Sequence, residues 1–309
     1  MEWNGVLPAI TTCFDNDLEV DHGFMTEHCR WLVDNGCKGI VPLGSLGEGA
    51  TLNGEEKIAI LRTCIGAVQN HVPIVASVSA LSTKDAIEFA RSAAEAGCEG
   101  LMVLPPYVYV GEWREMKAHV SAVIRATGLP CMLYNNPVAY GTDFLPEHIK
   151  ELADEHPNLR AVKESSTDAR RVTAIKAILG DRLVISVGVD DAIAEGVSVG
   201  ATGWIAGLVN AFPRESVDLF NLISKGERKK AMELYYWFLP LLRMDTVPEF
   251  VQLIKLAQKE VGMGNTRVRP PRLETTGAAL EVSLATIRAA LKNRPKEHQS
   301  TARQATYAD

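Results

Sequence analysis

A chain of 309 residues, with 47% hydrophobic side chains and a net charge of −6, holds enough apolar material for one large α/β domain with an extension. The acidic balance gives no basic footprint for nucleic acid, and no apolar run is long enough to span a bilayer. The six scattered cysteines (Cys13, Cys29, Cys37, Cys64, Cys98 and Cys131) form no C-x-x-C pair, and the start Met1-Glu2-Trp3-Asn4 has no signal-peptide pattern. These features predict a cytoplasmic protein whose thiols are small buried hydrophobes.

In chain order, eight short apolar segments read as strands: 5–11, 39–43, 74–78, 101–104, 131–134, 161–164, 183–187 and 203–206. Each precedes a segment of helical character. Helix starts are marked by Asp21, by Asn53 with Glu56 three residues on, and by Ser82 with Asp85. One junction recurs at Gly36-Cys37-Lys38-Gly39, Gly97-Cys98-Glu99-Gly100 and Gly200-Ala201-Thr202-Gly203. Its first glycine ends a helix at positive φ and its second opens a strand.

Eight such units with strands too apolar for an exposed face predict a closed (β/α)8 TIM barrel over residues 1–225. A doubly wound open sheet is the alternative, weakened by the lack of a Gly-x-Gly-x-x-Gly turn after the first strand. Segments 227–242, 247–261 and 283–292 predict a C-terminal helical extension over 226–292. The polar stretch 293–309 is expected to be disordered.

In a barrel, chemistry gathers at the C-terminal strand ends. Lys163 lies late in the sixth predicted strand. Taken alone, it fits either a buried stem whose ammonium pairs with Glu164 or an amine kept neutral by desolvation and able to form a Schiff base. Tyr134, one strand earlier, fits either an acid/base group or a packed aromatic. After the second strand, Gly44-Ser45-Leu46-Gly47-Glu48-Gly49 is either an ordinary turn or a ring of amides sized for a carboxylate. No Walker lysine follows it. Asp190 and Asp191 read as metal ligands or as a helix-cap pair. His22 and His28 are spaced too badly for a metal site on one helix.

Gly44-Ser45-Leu46-Gly47-Glu48, Tyr134-Asn135-Asn136-Pro137 and Val162-Lys163-Glu164 together resemble, in order and spacing, the signatures of the dihydrodipicolinate synthase/N-acetylneuraminate lyase family, over roughly residues 4–292. The resemblance implies a metal-independent class I lyase that needs no cofactor. Lys163 would form a covalent imine with a small 2-oxo acid such as pyruvate, and Tyr134 would shuttle protons. The Gly44, Ser45, Leu46 and Gly47 loop would hold the carboxylate. Tyr107 matches a tyrosine that reaches across a dimer interface in the synthases, and Gly188 and Ile205 match positions near the bound pyruvate moiety. A homodimer or homotetramer is implied.

Two departures bear on the substrate. Leu46 replaces a threonine of the synthases, and Ala139 replaces their carboxylate-binding arginine, a bidentate contact that alanine cannot make. With Tyr140, these predict a less polar distal pocket and a compact substrate with one carboxylate. A 1-pyrroline-4-hydroxy-2-carboxylate deaminase fits. A keto-deoxy-sugar acid dehydratase or aldolase, a 4-hydroxy-2-oxoglutarate aldolase, or an aromatic hydratase-aldolase with Tyr140 and Trp204 flanking a ring are the alternatives. From another class, a catalytically silent barrel would act as a binding module.

Overall fold

The structure is a computed structural model that describes residues 1–107 and 109–301. Seven parallel strands form one sheet: β1 (Gly5–Pro8), β2 (Val75–Val78), β3 (Gly100–Val103), β4 (Cys131–Asn135), β5 (Leu159–Glu164), β6 (Val184–Val187) and β7 (Gly203–Ala206). They follow the order β1-β7-β6-β5-β4-β3-β2. The second predicted strand, 39–43, is not a full strand. It closes the ring through single bridges, Ala9 to Val41 and Ile40 to Ile74. The Val41 amide donates to the Pro8 carbonyl at 2.8 Å, and the Val75 amide to the Ile40 carbonyl at 2.9 Å. Pairing stops there for local reasons. Pro42 has no N–H to give to a ladder, and Leu43 turns at φ 70°. With this eighth segment the sheet closes into a (β/α)8 barrel, which removes the open-sheet alternative.

β2, β3 and β4 are buried at every residue, as parallel strands covered on both faces must be. The capping signals form as expected. Asp21 accepts from the Phe24 amide at 2.9 Å, and Asn53 and Glu56 bond reciprocally at 2.9 and 2.8 Å. Ser82 accepts from the Asp85 amide at 3.1 Å. Gly36, Gly97 and Gly200, the first glycines of the repeated junction, have φ of 93°, 101° and 115°.

The C-terminal helices are Arg228–Leu242, Phe250–Glu260 and Gly277–Lys292, the last starting six residues before its predicted position. A 3-10 turn, Arg243–Thr246, joins the first two. Part of the stretch expected to be disordered is held in place: the Arg294 Nε donates to Glu215 Oε1 at 2.5 Å, and His298 is buried. Residues 302–309 of that stretch lie outside the described residues. Among the described residues, no helix is long and apolar enough to cross a membrane.

Candidate active site

The parallel register of β4 and β5 places Tyr134 beside Lys163. Side chains alternate along β5, so Lys163 and Glu164 point to opposite faces. Glu164 accepts from Asn135 Nδ2 at 3.0 Å and from the Ser166 amide at 2.7 Å, and does not pair with Lys163. The Lys163 side chain is 7% exposed, and its Nζ lies 4.1 Å from the centre of the Tyr134 ring. Among the described residues it makes no hydrogen bond or ion pair. Burial lowers its pKa, opposed by the more distant charge of Asp245 and by Tyr140 and Asp190. The reading in which its ammonium pairs with Glu164 is therefore excluded by geometry.

Gly188, at the end of β6, makes room for the lysine. A Cβ there would lie 2.0 Å from Ser165 Oγ and 2.7 Å from Lys163 Cε. The Tyr134 hydroxyl accepts from Asn136 Nδ2 at 2.9 Å, and burial pushes its pKa up to about 12. Tyr140 stands edge-on to Tyr134, ring centres 5.8 Å apart, and its hydroxyl bonds to that of Ser45. Tyr107 is half-buried and approaches the group only through Tyr140, at 6.2 Å between ring centres.

The 44–49 loop is tightly folded. A Cβ on Gly49 would fall 2.1 Å from the Leu43 carbonyl oxygen, and one on Gly47 2.9 Å from that of Ile10. Only glycine permits this approach. Glu48 turns at φ 52° and sends its buried carboxylate away from the pocket. It accepts from Lys255 Nζ at 2.5 Å and from the Arg269 amide at 3.0 Å. Lys255 also donates to the Arg267 carbonyl at 2.6 Å. Thr12 Oγ1 donates to the Gly47 carbonyl at 2.7 Å. Among the described residues, the amides of Ser45, Leu46 and Gly47 have no acceptor, which leaves them free for an anion.

These parts surround one cavity of about 450 Å³. Lys163, Tyr134, Gly44, Ser45, Leu46, Ala139, Tyr140, Gly188 and Ile205 line it, whereas Gly47 and Tyr107 are not part of its lining. Sequence reasoning missed Ser165, Asp245, Thr246 and Arg272, which line it too. Val138, Val247, Pro248 and Phe250 line it as well, so these polar groups stand on a largely apolar wall. Arg272 is half-buried and forms no ion pair among the described residues, so a cation faces the cavity although position 139 is alanine.

Two residues take purely structural places. Trp204 is fully buried and donates from Nε1 to Asp190 at 2.9 Å, so it cannot flank a substrate ring. Asp190 also accepts from the Gly207 and Leu208 amides at 3.1 and 2.7 Å, tying the turn after β7 to β6. It does not cap its own helix. Asp191 pairs with Arg243 at 3.6 Å.

A buried amine at a strand end thus lies beside a phenol and a loop whose amides have no protein acceptor, at the C-terminal face of a barrel. The chain belongs to the dihydrodipicolinate synthetase family, whose model matches residues 2–290. It is 32% identical over 292 residues to the 4-hydroxy-tetrahydrodipicolinate synthase of Agrobacterium fabrum, covering 94% of this chain and 98% of that protein. Among solved structures, it is similar to dihydrodipicolinate synthase DapA-2 of Bacillus anthracis, with a TM-score of 0.90 at 26% identity over 96% of this chain and all of that one. YagE, a prophage protein of the same family from E. coli K12 solved in complex with pyruvate, gives a TM-score of 0.88 at 26% identity, covering 93% of this chain and 98% of that one.

Proposed function

We propose that the protein is a Schiff-base-forming lyase acting on a small 2-oxo acid or cyclic imino acid, without a metal or cofactor, and that 1-pyrroline-4-hydroxy-2-carboxylate is its preferred type of substrate. The observation that carries this reading is the buried, unpaired amine of Lys163 over the Tyr134 ring at the floor of the cavity. Its lowered pKa puts more of the nucleophilic neutral form at a given pH than an ordinary lysine has.

The substrate carboxylate would accept from the Ser45 hydroxyl and the Ser45 and Leu46 amides. This places the C2 carbonyl against Lys163. Attack on a 2-oxo acid forms a carbinolamine, and Tyr134 gives its proton to the departing water; attack on the cyclic imine forms a gem-diamine, and the same proton goes to the departing ring nitrogen. The phenolate left behind is stabilised by the new iminium cation and then takes a C3 proton to give the enamine. Tyr134 is well suited to this order, because burial holds it as a phenol until a cation forms beside it. Cleavage, dehydration or deamination diverge only after that point.

The relatives' name would suggest condensation with an aspartate-derived aldehyde. Ala139 argues against it, because it lacks the arginine that the family resemblance assigns to that partner's carboxylate. A keto-deoxy-sugar acid remains the second reading, favoured by the polar groups Thr246, Asp245 and Arg272 on the cavity wall. The exposed Tyr109, Val110 and Val138 near Tyr107 support assembly into a dimer or tetramer through that face. Six buried unpaired cysteines support a reducing compartment, the cytoplasm.

The test is trapping. Borohydride added with pyruvate or 1-pyrroline-4-hydroxy-2-carboxylate is expected to leave a mass adduct on Lys163, and none on the Lys163→Ala protein. Trapping should rise with pH to a plateau reached below the titration of an ordinary lysine, because the amine must lose its proton to react. An adduct that survives Lys163→Ala, or none with any 2-oxo acid, overturns the mechanism.

A further inference from the structure

Asp245 is the one carboxylate of the cavity wall that the proposed imine chemistry leaves without a task. It sits on the Arg243–Thr246 turn and enters the cavity over the end of β7. The absence of a side chain at Gly207 lets it in: a Cβ there would lie 2.1 Å from Asp245 Oδ1. Its two acidic neighbours are both engaged, Asp190 by Trp204, Gly207 and Leu208, and Asp191 by Arg243. Asp245 itself makes no hydrogen bond or ion pair among the described residues. An acid admitted to a pocket by a glycine, and left without a protein partner, is placed for a ligand.

We propose that Asp245 is a further catalytic residue, the proton donor to a hydroxyl that leaves from C4 of the substrate, two carbons beyond the imine carbon. This rests on the Schiff-base reading of the same site. It narrows the substrate class to 4-hydroxylated 2-oxo acids and their cyclic imines, and the reaction to one that begins with loss of water.

The electron flow closes without another reactant. Once C3 has lost its proton to Tyr134, the enamine nitrogen reforms its double bond to C2. The C2–C3 π pair becomes the C3–C4 double bond, and the C4–O bond breaks. Hydroxide is a poor leaving group, so the departing oxygen takes the Asp245 proton and leaves as water. Solvent then reprotonates the carboxylate. Burial and the charges of Asp190 and Asp191 favour the protonated carboxyl that such a donor needs, against the opposing charge of Lys163. Tyr134 and Asp245 thereby divide the work, one at the group leaving C2 and the C3 proton, the other at the C4 oxygen.

The alternative role is a counterion that tunes Lys163 and touches no substrate. The experiment separates the two by using two probes on each protein. Pyruvate reports imine and enamine formation through exchange of its methyl protons in D2O, followed by NMR. Water loss is followed with 1-pyrroline-4-hydroxy-2-carboxylate and with 2-keto-3-deoxygluconate. Asp245→Asn is expected to lower kcat for water loss by about a hundredfold or more, the scale of a lost general acid, and to lower pyruvate exchange by less than about tenfold. Gly207→Ala, which displaces the carboxyl without removing it, should show the same selective loss. Equal losses on both probes, or unchanged water loss, overturn the proposal. So does a wild-type protein that exchanges pyruvate yet dehydrates neither hydroxylated probe. A wild-type protein that neither exchanges pyruvate nor traps it refutes the Schiff-base reading instead.

Discussion

The two sides of the cavity are built differently. The strand-end side carries Lys163 and Tyr134 on rigid parallel strands, where register alone fixes which side chains meet, with Gly188 directly after β6. The rim side carries Asp245, Thr246 and Arg272 on turns around the C-terminal helices. The 44–49 loop belongs to both: its glycines follow the barrel, but its Glu48 is held by Lys255 of the helix Phe250–Glu260. The difference suggests a division in which the strands set the reaction and the rim sets what is admitted to it, a common way for barrels to vary chemistry.

Gly188→Ala is the strongest way to break the strand side. Its new Cβ would press on Lys163 Cε and Ser165 Oγ, and misplacing the nucleophile by about 1 Å costs on the order of a hundredfold or more in turnover. Borohydride trapping should fall in parallel. Retention of full trapping would show that the lysine does not need that space. Next, Tyr134→Phe is expected to lose about two decades of kcat while still trapping substrate; unchanged turnover would remove the phenol from proton transfer. Lys255→Met sharpens the comparison from the rim. It strands Glu48 inside the protein, and breaking a buried pair costs about 3–5 kcal/mol. Denaturant unfolding should show this loss, with a raised KM for the 2-oxo acid as the loop loosens and a smaller change in kcat. If kcat collapsed while KM stayed fixed, the loop would not be the carboxylate site.

The strand side was legible in the sequence because its information is local. A lysine late in an apolar strand, a tyrosine in the strand before it, and glycines at short spacing each declare themselves within a few residues. Closed-barrel architecture followed from counting units, although segment 39–43 pairs only by single bridges, since Pro42 and Leu43 end its ladder. Glu164 was a plausible partner for Lys163 by sequence adjacency, yet strand alternation puts the two on opposite faces. Asp245 and Arg272 were not legible at all. Nothing near them in sequence is apolar-strand or motif-like, and their place at the cavity depends on how the C-terminal helices dock on the barrel. The absence of a side chain at Gly207 was the only local trace of Asp245, and it looks like any other glycine after a strand. Arg294 escaped in the same way, since its partner Glu215 is buried in a distant helix.

The bond between Glu48 and Lys255 joins residues 207 apart in sequence. On a ribosome, chains emerge N-terminus first and domains fold as their residues become available. The strand ring is complete once β7 has emerged, but the Glu48 side of the carboxylate loop lacks its partner until helix Phe250–Glu260 is also out. A nascent or prematurely terminated chain could therefore hold Lys163 in a closed barrel while its anion site stays slack.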